Sequence, residues 1–273
     1  MSKTIAIVNQ KGGVGKTTTA INLSACLAEL GKRILLIDID PQGNATSGLG
    51  IDRALTEGKN IYRVFSGEKS IGELITQTRL GNLRIVPSNI NLTGAEVELV
   101  GMIARETRLK AALDGIKPSF DYILIDCPPS LGLLTINALT ASDSAIIPIQ
   151  CEYYALEGLT QLINVIDLIK QSLNPGITVE GILLTMADTR TNLARQVIDE
   201  VKKFFGSQVF DTIIPRNVRL SEAPSFGEPI IMYDSGSLGA EAYRTFAKEV
   251  INGEQKGIGT RPGIPDSEGR EGE

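Results

Sequence analysis

Histidine is absent from all 273 residues, and that single gap removes a Ser-His-Asp triad, a histidine-ligated zinc and an imidazole proton shuttle. Cysteine is scarce. Cys26, Cys127 and Cys151 are unequally spaced with no C-x-x-C pair, so neither a disulfide framework nor a pair of cluster ligands is indicated, and a reducing compartment is expected. No apolar run approaches the roughly 18 residues a membrane span needs, and the N-terminus turns polar after Val8, too early for a signal peptide. A soluble, cytosolic protein is the expectation. Positive charge is not in surplus either: the formal net charge is −5. Any contact with nucleic acid must therefore come from a local basic patch.

What is present is aliphatic. Hydrophobic residues make up 42% of the chain and aromatics only 5%, which suits a sheet-centred core. Short β-branched runs recur at 4–8, 33–38, 83–86, 122–126, 145–149, 182–185 and 212–214, most of them separated by amphipathic segments of helical length. This alternation predicts a single-domain, doubly wound α/β fold whose mostly parallel sheet is flanked by helices on both faces. Ligands of such sheets gather at the carboxyl ends of the strands. A last helix is expected over about 240–251, closing a folded domain of residues 1–251. The Gly-, Pro- and charge-rich stretch 252–273 is expected to be a disordered tail.

The run "IAIVNQKGGVGKTTTAINL" passes from a strand through glycines into a helix that begins near Lys16, an arrangement that aims backbone N–H groups at a phosphate. Gly12, Gly13, Val14, Gly15, Lys16, Thr17 and Thr18 form the candidate nucleotide cradle, with Lys16 reaching the β/γ-phosphates and Thr17 offering its hydroxyl to Mg²⁺. The general P-loop pattern expects glycine at position 10, where this chain has Gln10, and it carries an additional early lysine, Lys11. Acidic residues then follow at strand ends: Asp38 and Asp40 in "LLIDIDPQGN" and Asp126 in "YILIDCPPS". Carboxylates there can hold Mg²⁺ through water or orient the attacking water of phosphoryl transfer.

Taken together, "NQKGGVGKTTTAINL", "DIDPQGNATSGLG", "DCPPS", "EYYALEGL" and "IPRNVRLSEAPSFGEPI" closely resemble the ParA/Soj family of chromosome and plasmid partitioning ATPases, the deviant P-loop group that includes MinD. The likeness spans essentially residues 2–251. It implies a cytoplasmic, nucleoid-associated ATPase that uses ATP and Mg²⁺ and forms a homodimer around two sandwiched ATP molecules. That dimer would bind double-stranded DNA nonspecifically and hydrolyse ATP when stimulated by a ParB/Spo0J-type partner. By the same resemblance, Lys11 would reach the phosphates of the partner subunit's ATP and Asp40 would orient the catalytic water. Asp38 and Asp126, with Thr17, would serve the metal, while Pro215 and Asn217 would hold adenine. Arg190 in "DTRTN" and Arg219 in "NVRLSEAPS" would contact DNA.

The alternative is a MinD-like positioning ATPase at a membrane. Such proteins typically carry glycine at position 10 and end in a basic amphipathic helix, whereas here five acidic and three basic residues follow position 251 with no apolar face. Iron–sulfur carriers with the same loop need paired cysteines. A metabolic ATP-dependent ligase of the same fold would need a small-molecule pocket, which sequence alone leaves open.

Overall fold

A computed structural model describes residues 2–152, 155–188 and 190–255, with the backbone alone for 155–157, 254 and 255. Eight strands among these residues form one sheet: β1 (Lys3–Ile7), β2 (Ile34–Asp38), β3 (Thr76–Gln77), β4 (Leu83–Val86), β5 (Tyr122–Asp126), β6 (Ser144–Gln150), β7 (Thr178–Ala187) and β8 (Val209–Pro215). Their order is β3-β4-β2-β5-β1-β6-β7-β8. Every neighbouring pair is parallel except β3–β4. The expected doubly wound α/β architecture is present. The short edge strand β3 has no counterpart in the sequence reading, because two residues cannot display a period.

The helices are α1 (Lys16–Glu29), α2 (Asn44–Gly48), α3 (Tyr62–Phe65), α4 (Ile71–Leu74), α5 (Leu92–Val100), α6 (Arg108–Leu113), α7 (Leu133–Ala141), α8 (Ala155–Ser172), α9 (Asn192–Phe205), α10 (Val218–Glu222), α11 (Ile230–Tyr233) and α12 (Leu238–Gln255). Alternation along each strand divides the core into two. Ile5, Ile7, Ile34, Leu36 and Leu124 face α1 and α12, whereas Ala6, Val8, Leu35, Ile37 and Ile125 face the layer of α5 to α9. All five residues of β2 and of β5 are buried, as a parallel strand covered on both sides requires. At the β8 edge, the Glu249 carboxylate accepts the N–H groups of Asp211 and Thr212 at 2.7 and 2.9 Å, so α12 satisfies two backbone donors there.

α12 continues four residues past the expected stop at 251, making 252–255 helical. Asn252 and Gly253 are poor helix formers, but Tyr243, Phe246, Ala247 and Val250 are buried and carry the helix through them. The remainder of the expected tail, 256–273, lies outside the described residues.

Candidate functional site

Parallel register brings the functional strand ends level. Asp126 at the end of β5 is in register with Asp38 of β2 on one side and Ile7 of β1 on the other. The glycine loop therefore leaves β1 directly beside two buried carboxylates. Within the loop, Gly13 and Gly15 adopt φ values of +76° and +86°, a conformation that glycine enters without steric cost. Gly15 is the N-cap of α1 and carries no side-chain cap, so the first N–H groups of a 14-residue helix face the loop.

Contacts the sequence reading missed brace this loop. Asn9 accepts the Lys11 N–H at 2.9 Å and donates to the Pro148 carbonyl at 2.8 Å. The Thr185 hydroxyl at the end of β7 lies 2.9 Å from the Val14 carbonyl and 3.0 Å from that of Ile149. Gln10, the departure from the general pattern, donates to the Gly158 carbonyl and to Gln161 Oε1 on α8. It ties the loop to a helix, a job glycine could not perform.

The two lysines occupy different environments. Lys16 is 6% exposed and donates to the Lys11 carbonyl at 2.9 Å. Burial lowers its pKa, opposed by the charges of Asp126, Cys127 and Asp40. Lys11 points outward, its ammonium 3.3 Å from Glu152 with both side chains nearly half exposed.

The three acids also separate. Asp38 accepts the Asp40 N–H at 3.1 Å, the Thr46 N–H at 2.8 Å and the Thr46 hydroxyl at 2.7 Å, and the same hydroxyl oxygen accepts the Ser88 N–H at 2.9 Å. Both Asp38 oxygens are thus committed to holding the segment around Asp40 and α2. Burial raises its pKa to about 6 against the pull of those hydrogen bonds. Asp126 is fully buried, and neither oxygen has a partner meeting hydrogen-bond geometry. Burial first, then the Asp38 charge, pushes it well above the ordinary carboxylate range, while Thr17 and Lys16 pull it down. A buried carboxylate with only the Thr17 hydroxyl near enough to favour its charge is under-satisfied, which is rare and points to a missing partner. Asp40 is nearly buried and accepts the Gln42 N–H at 2.9 Å. Among the described residues no cluster of three or more Cys, Asp or Glu side chains forms a self-contained metal cage.

Next to the loop lies a cavity of about 240 Å³ lined by Gly15, Thr18, Thr185, Pro215, Asn217 and Tyr243 among others. Phosphate-type and base-type residues from opposite ends of the chain thus share one space. Pro215 ends β8 opposite Ala187, and the Asn217 side chain caps α10 by accepting the Leu220 N–H. Met186, also lining this cavity, takes φ +51°, a strained value for a side-chain-bearing residue.

Neither Arg190 nor Arg219 is among the residues lining this cavity, and each is already paired. Arg190 Nε is 2.8 Å from Asp188, whose pKa it lowers to about 2. Arg219 lies 2.9 Å from Glu222 and 3.4 Å from Asp234. The sequence could not show these neutralising partners, though Asp188 and Glu222 stand two and three positions away.

A glycine loop between β1 and α1, buried lysine and carboxylates at adjacent strand ends, and a contiguous base-sized cavity define a P-loop nucleoside triphosphatase. A family model described as an AAA domain matches residues 2–179. The sporulation initiation inhibitor protein Soj of Bacillus subtilis is 62% identical over 250 residues, covering 92% of this chain and 98% of that protein. The chromosome partitioning protein ParA of Myxococcus xanthus is 58% identical, covering 92% and 88%. The chain belongs to the ParA/Soj family of partitioning ATPases. A similar solved structure is that of cobyrinic acid a,c-diamide synthase from Mycobacterium smegmatis with bound ADP and magnesium, at 37% identity and a TM-score of 0.84, covering 97% of this chain and 100% of that one.

Proposed function

We propose that this protein is an ATP-driven dimerising switch that binds DNA nonspecifically in its ATP form and serves chromosome or plasmid partitioning with a ParB/Spo0J-type partner. The observation that carries the reading is the convergence of Lys16, Asp38 and the under-satisfied Asp126 around the glycine loop, with Lys11 turned outward. Lys16 exchanges the Lys11 carbonyl for the β/γ-phosphates, and the loop N–H groups hold the remaining phosphate oxygens. The cavity bounded by Pro215 and Asn217 takes the base. The orphaned Asp126 oxygens fit a divalent cation: Thr17 would hold Mg²⁺ directly, and Asp126, with Asp38, through water. The rest of its shell would come from phosphate and water. Such an ion neutralises charge on the phosphates. Asp40 accepts a hydrogen bond from the attacking water and aligns it.

Lys11 then acts across the interface, where a cation supplied in trans is worth about 10³ to 10⁵ in rate in arginine-finger systems. No helix among the described residues is long and apolar enough to cross a membrane. The synthase-type ligase reading finds support only in the more distant structural likeness, and the higher identity to partitioning proteins outweighs it. Size exclusion with light scattering in ATP, ADP and no nucleotide tests the switch. A dimer confined to the ATP sample is expected, and a monomer in all three would overturn the reading.

A further inference from the structure

Seven arginines among the described residues pair with a carboxylate. Arg108 does not. Its Nε is buried with no hydrogen-bond partner, and the guanidinium sits against Gly67, where an added Cβ would stand only 3.0 Å from Nη2. Gly67 takes φ +82°, so the turn is shaped to make room for that group. Arg108 faces a cavity of about 610 Å³ between α3, α4 and α6, remote from the glycine loop in its lining. That volume falls within the roughly 300–1,000 Å³ of small-molecule sites.

The lining has a one-sided character. It contains two cations, Arg108 and Lys69, and no acidic side chain, in a chain whose net charge is −5. The Lys69 ammonium rests on the Gly58 carbonyl at 2.8 Å and forms no ion pair with the neighbouring Glu68 and Glu73, although its charge lowers the pKa of both. Around these cations lie Val64, Ile71, Ala112 and Ile116, and Ile103 stands 94% exposed at the rim. A buried unpaired guanidinium donor is costly unless something accepts from it, and the aliphatic side chains beside it offer an apolar surface to the body of such an acceptor.

We propose that this cavity is a second ligand site, separate from the nucleotide site, for a small organic anion that has a carboxylate or phosphate-ester head and an aliphatic body. The head takes the Arg108 fork, which suits a planar or tetrahedral oxyanion, with Lys69 adding charge. The aliphatic body covers Ile71, Ile103 and Ile116.

The test titrates the full chain, saturated with Mg²⁺ and ADP so that the glycine loop is blocked, with octyl phosphate, octanoate and octanol while amide shifts are followed by NMR. Saturable shifts confined to 64–72 and 103–116 are expected for one or both anions, with octanol at least about tenfold weaker. Arg108→Met should weaken the anions by about tenfold or more, the scale of a lost charged hydrogen bond. Lys69→Met gives a second, milder reading if Arg108→Met does not fold. A tighter phosphate identifies a phosphate-ester head, and a tighter octanoate a carboxylate; either supports the site. Absence of localised shifts at millimolar probe would overturn it. So would equal binding of octanol, or anion binding that neither variant changes.

Discussion

The ammonium of Lys16 is hydrogen-bonded to the backbone carbonyl of Lys11, 2.9 Å away, while the Lys11 ammonium reaches outward to Glu152. The two lysines of one loop are thus joined through main chain yet face separate spaces, one closed over the phosphate cradle and one open to whatever docks on the surface. A single phosphate site needs only the first. On the proposed function the second serves a molecule that docks on that surface.

Lys16→Ala is expected to abolish ATP binding while leaving the fold intact. Lys16 is buried, and burial already disfavours its charge, so the alanine form should melt no lower than the parent without nucleotide. Thermal melts with and without Mg²⁺-ATP check this. An ATP-induced rise in Tm equal to the parent's would contradict the assigned role.

Gly12→Val separates the monomer from the dimer. A Cβ at Gly12 meets only Pro129 Cβ, at 4.0 Å, and Gly12 is not among the glycines of positive φ. The chain itself therefore has room for a Cβ, and on the proposed function a branched side chain here would meet the ligand or a second subunit. The variant should fold with a Tm near the parent's and remain monomeric in ATP by light scattering. ATP-dependent dimers of the variant would remove this loop from the interface.

Asp40→Ala should keep ATP binding and prolong the dimer if Asp40 positions the water as proposed, since it removes only one local hydrogen bond, that from Gln42. Loss of a general base or water-orienting group costs about 10²- to 10⁴-fold in rate. Phosphate release measured beside light scattering checks both halves. Unimpaired hydrolysis would shift the role to Asp126, since both oxygens of Asp38 are committed to Thr46 and Asp40.

Strand identity was legible because β2 and β5 are short apolar runs, each closed by an aspartate, and the loop was legible because its glycines and lysine lie close together in the chain. The resemblance also singled out Pro215 and Asn217, which line one cavity with Gly15 and Thr18. What could not be read depended on distant partners. Thr185 braces Val14 from 171 positions away, and Thr46 claims Asp38 from a helix of only five residues. β3 is two residues long. The division of labour between Asp38 and Asp126 likewise follows from which donors the fold brings near each, a property no local pattern encodes.

The Arg33–Asp121 pair should give the protein an acid-sensitive clamp at the start of β2 and β5. Asp121 accepts the Arg33 N–H at 2.8 Å and both sides of the guanidinium at 3.2 and 2.8 Å, and its pKa falls to about 2. A depressed carboxylate contributes stability that is present above its unfolded pKa of about 3.9 and is lost as pH falls toward 2. Asp121→Asn should cost about 1 kcal/mol at pH 7, given its exposure, and flatten the stability curve between pH 4 and 2. Denaturant melts across that range check it. An unchanged slope would mean the pair is energetically idle.

DNA binding is expected to depend on Arg190 and Arg219 through a competition that their neighbours set. Each guanidinium rests on a solvent-accessible carboxylate, Asp188 and Glu222 respectively, and surface pairs of this kind contribute little. A DNA phosphate can therefore displace the carboxylate at small cost, and an acidic chain gains a useful basic surface only when a dimer presents the patch twice. Arg190→Ala or Arg219→Ala should weaken binding equally on all duplex sequences, because phosphate contacts carry no base information. Two contacts vanish per dimer, so the slope of log affinity against log salt should fall by about 1.8, at roughly 0.9 per contact. Asp188→Asn should act oppositely and tighten binding, since it frees Arg190 without adding charge to it. Filter binding at several salt concentrations, beside light scattering in ATP, measures all three variants. Parental affinity and slope in every one would place the patch elsewhere, and loss of the ATP dimer in the arginine variants would assign these residues to the subunit interface instead.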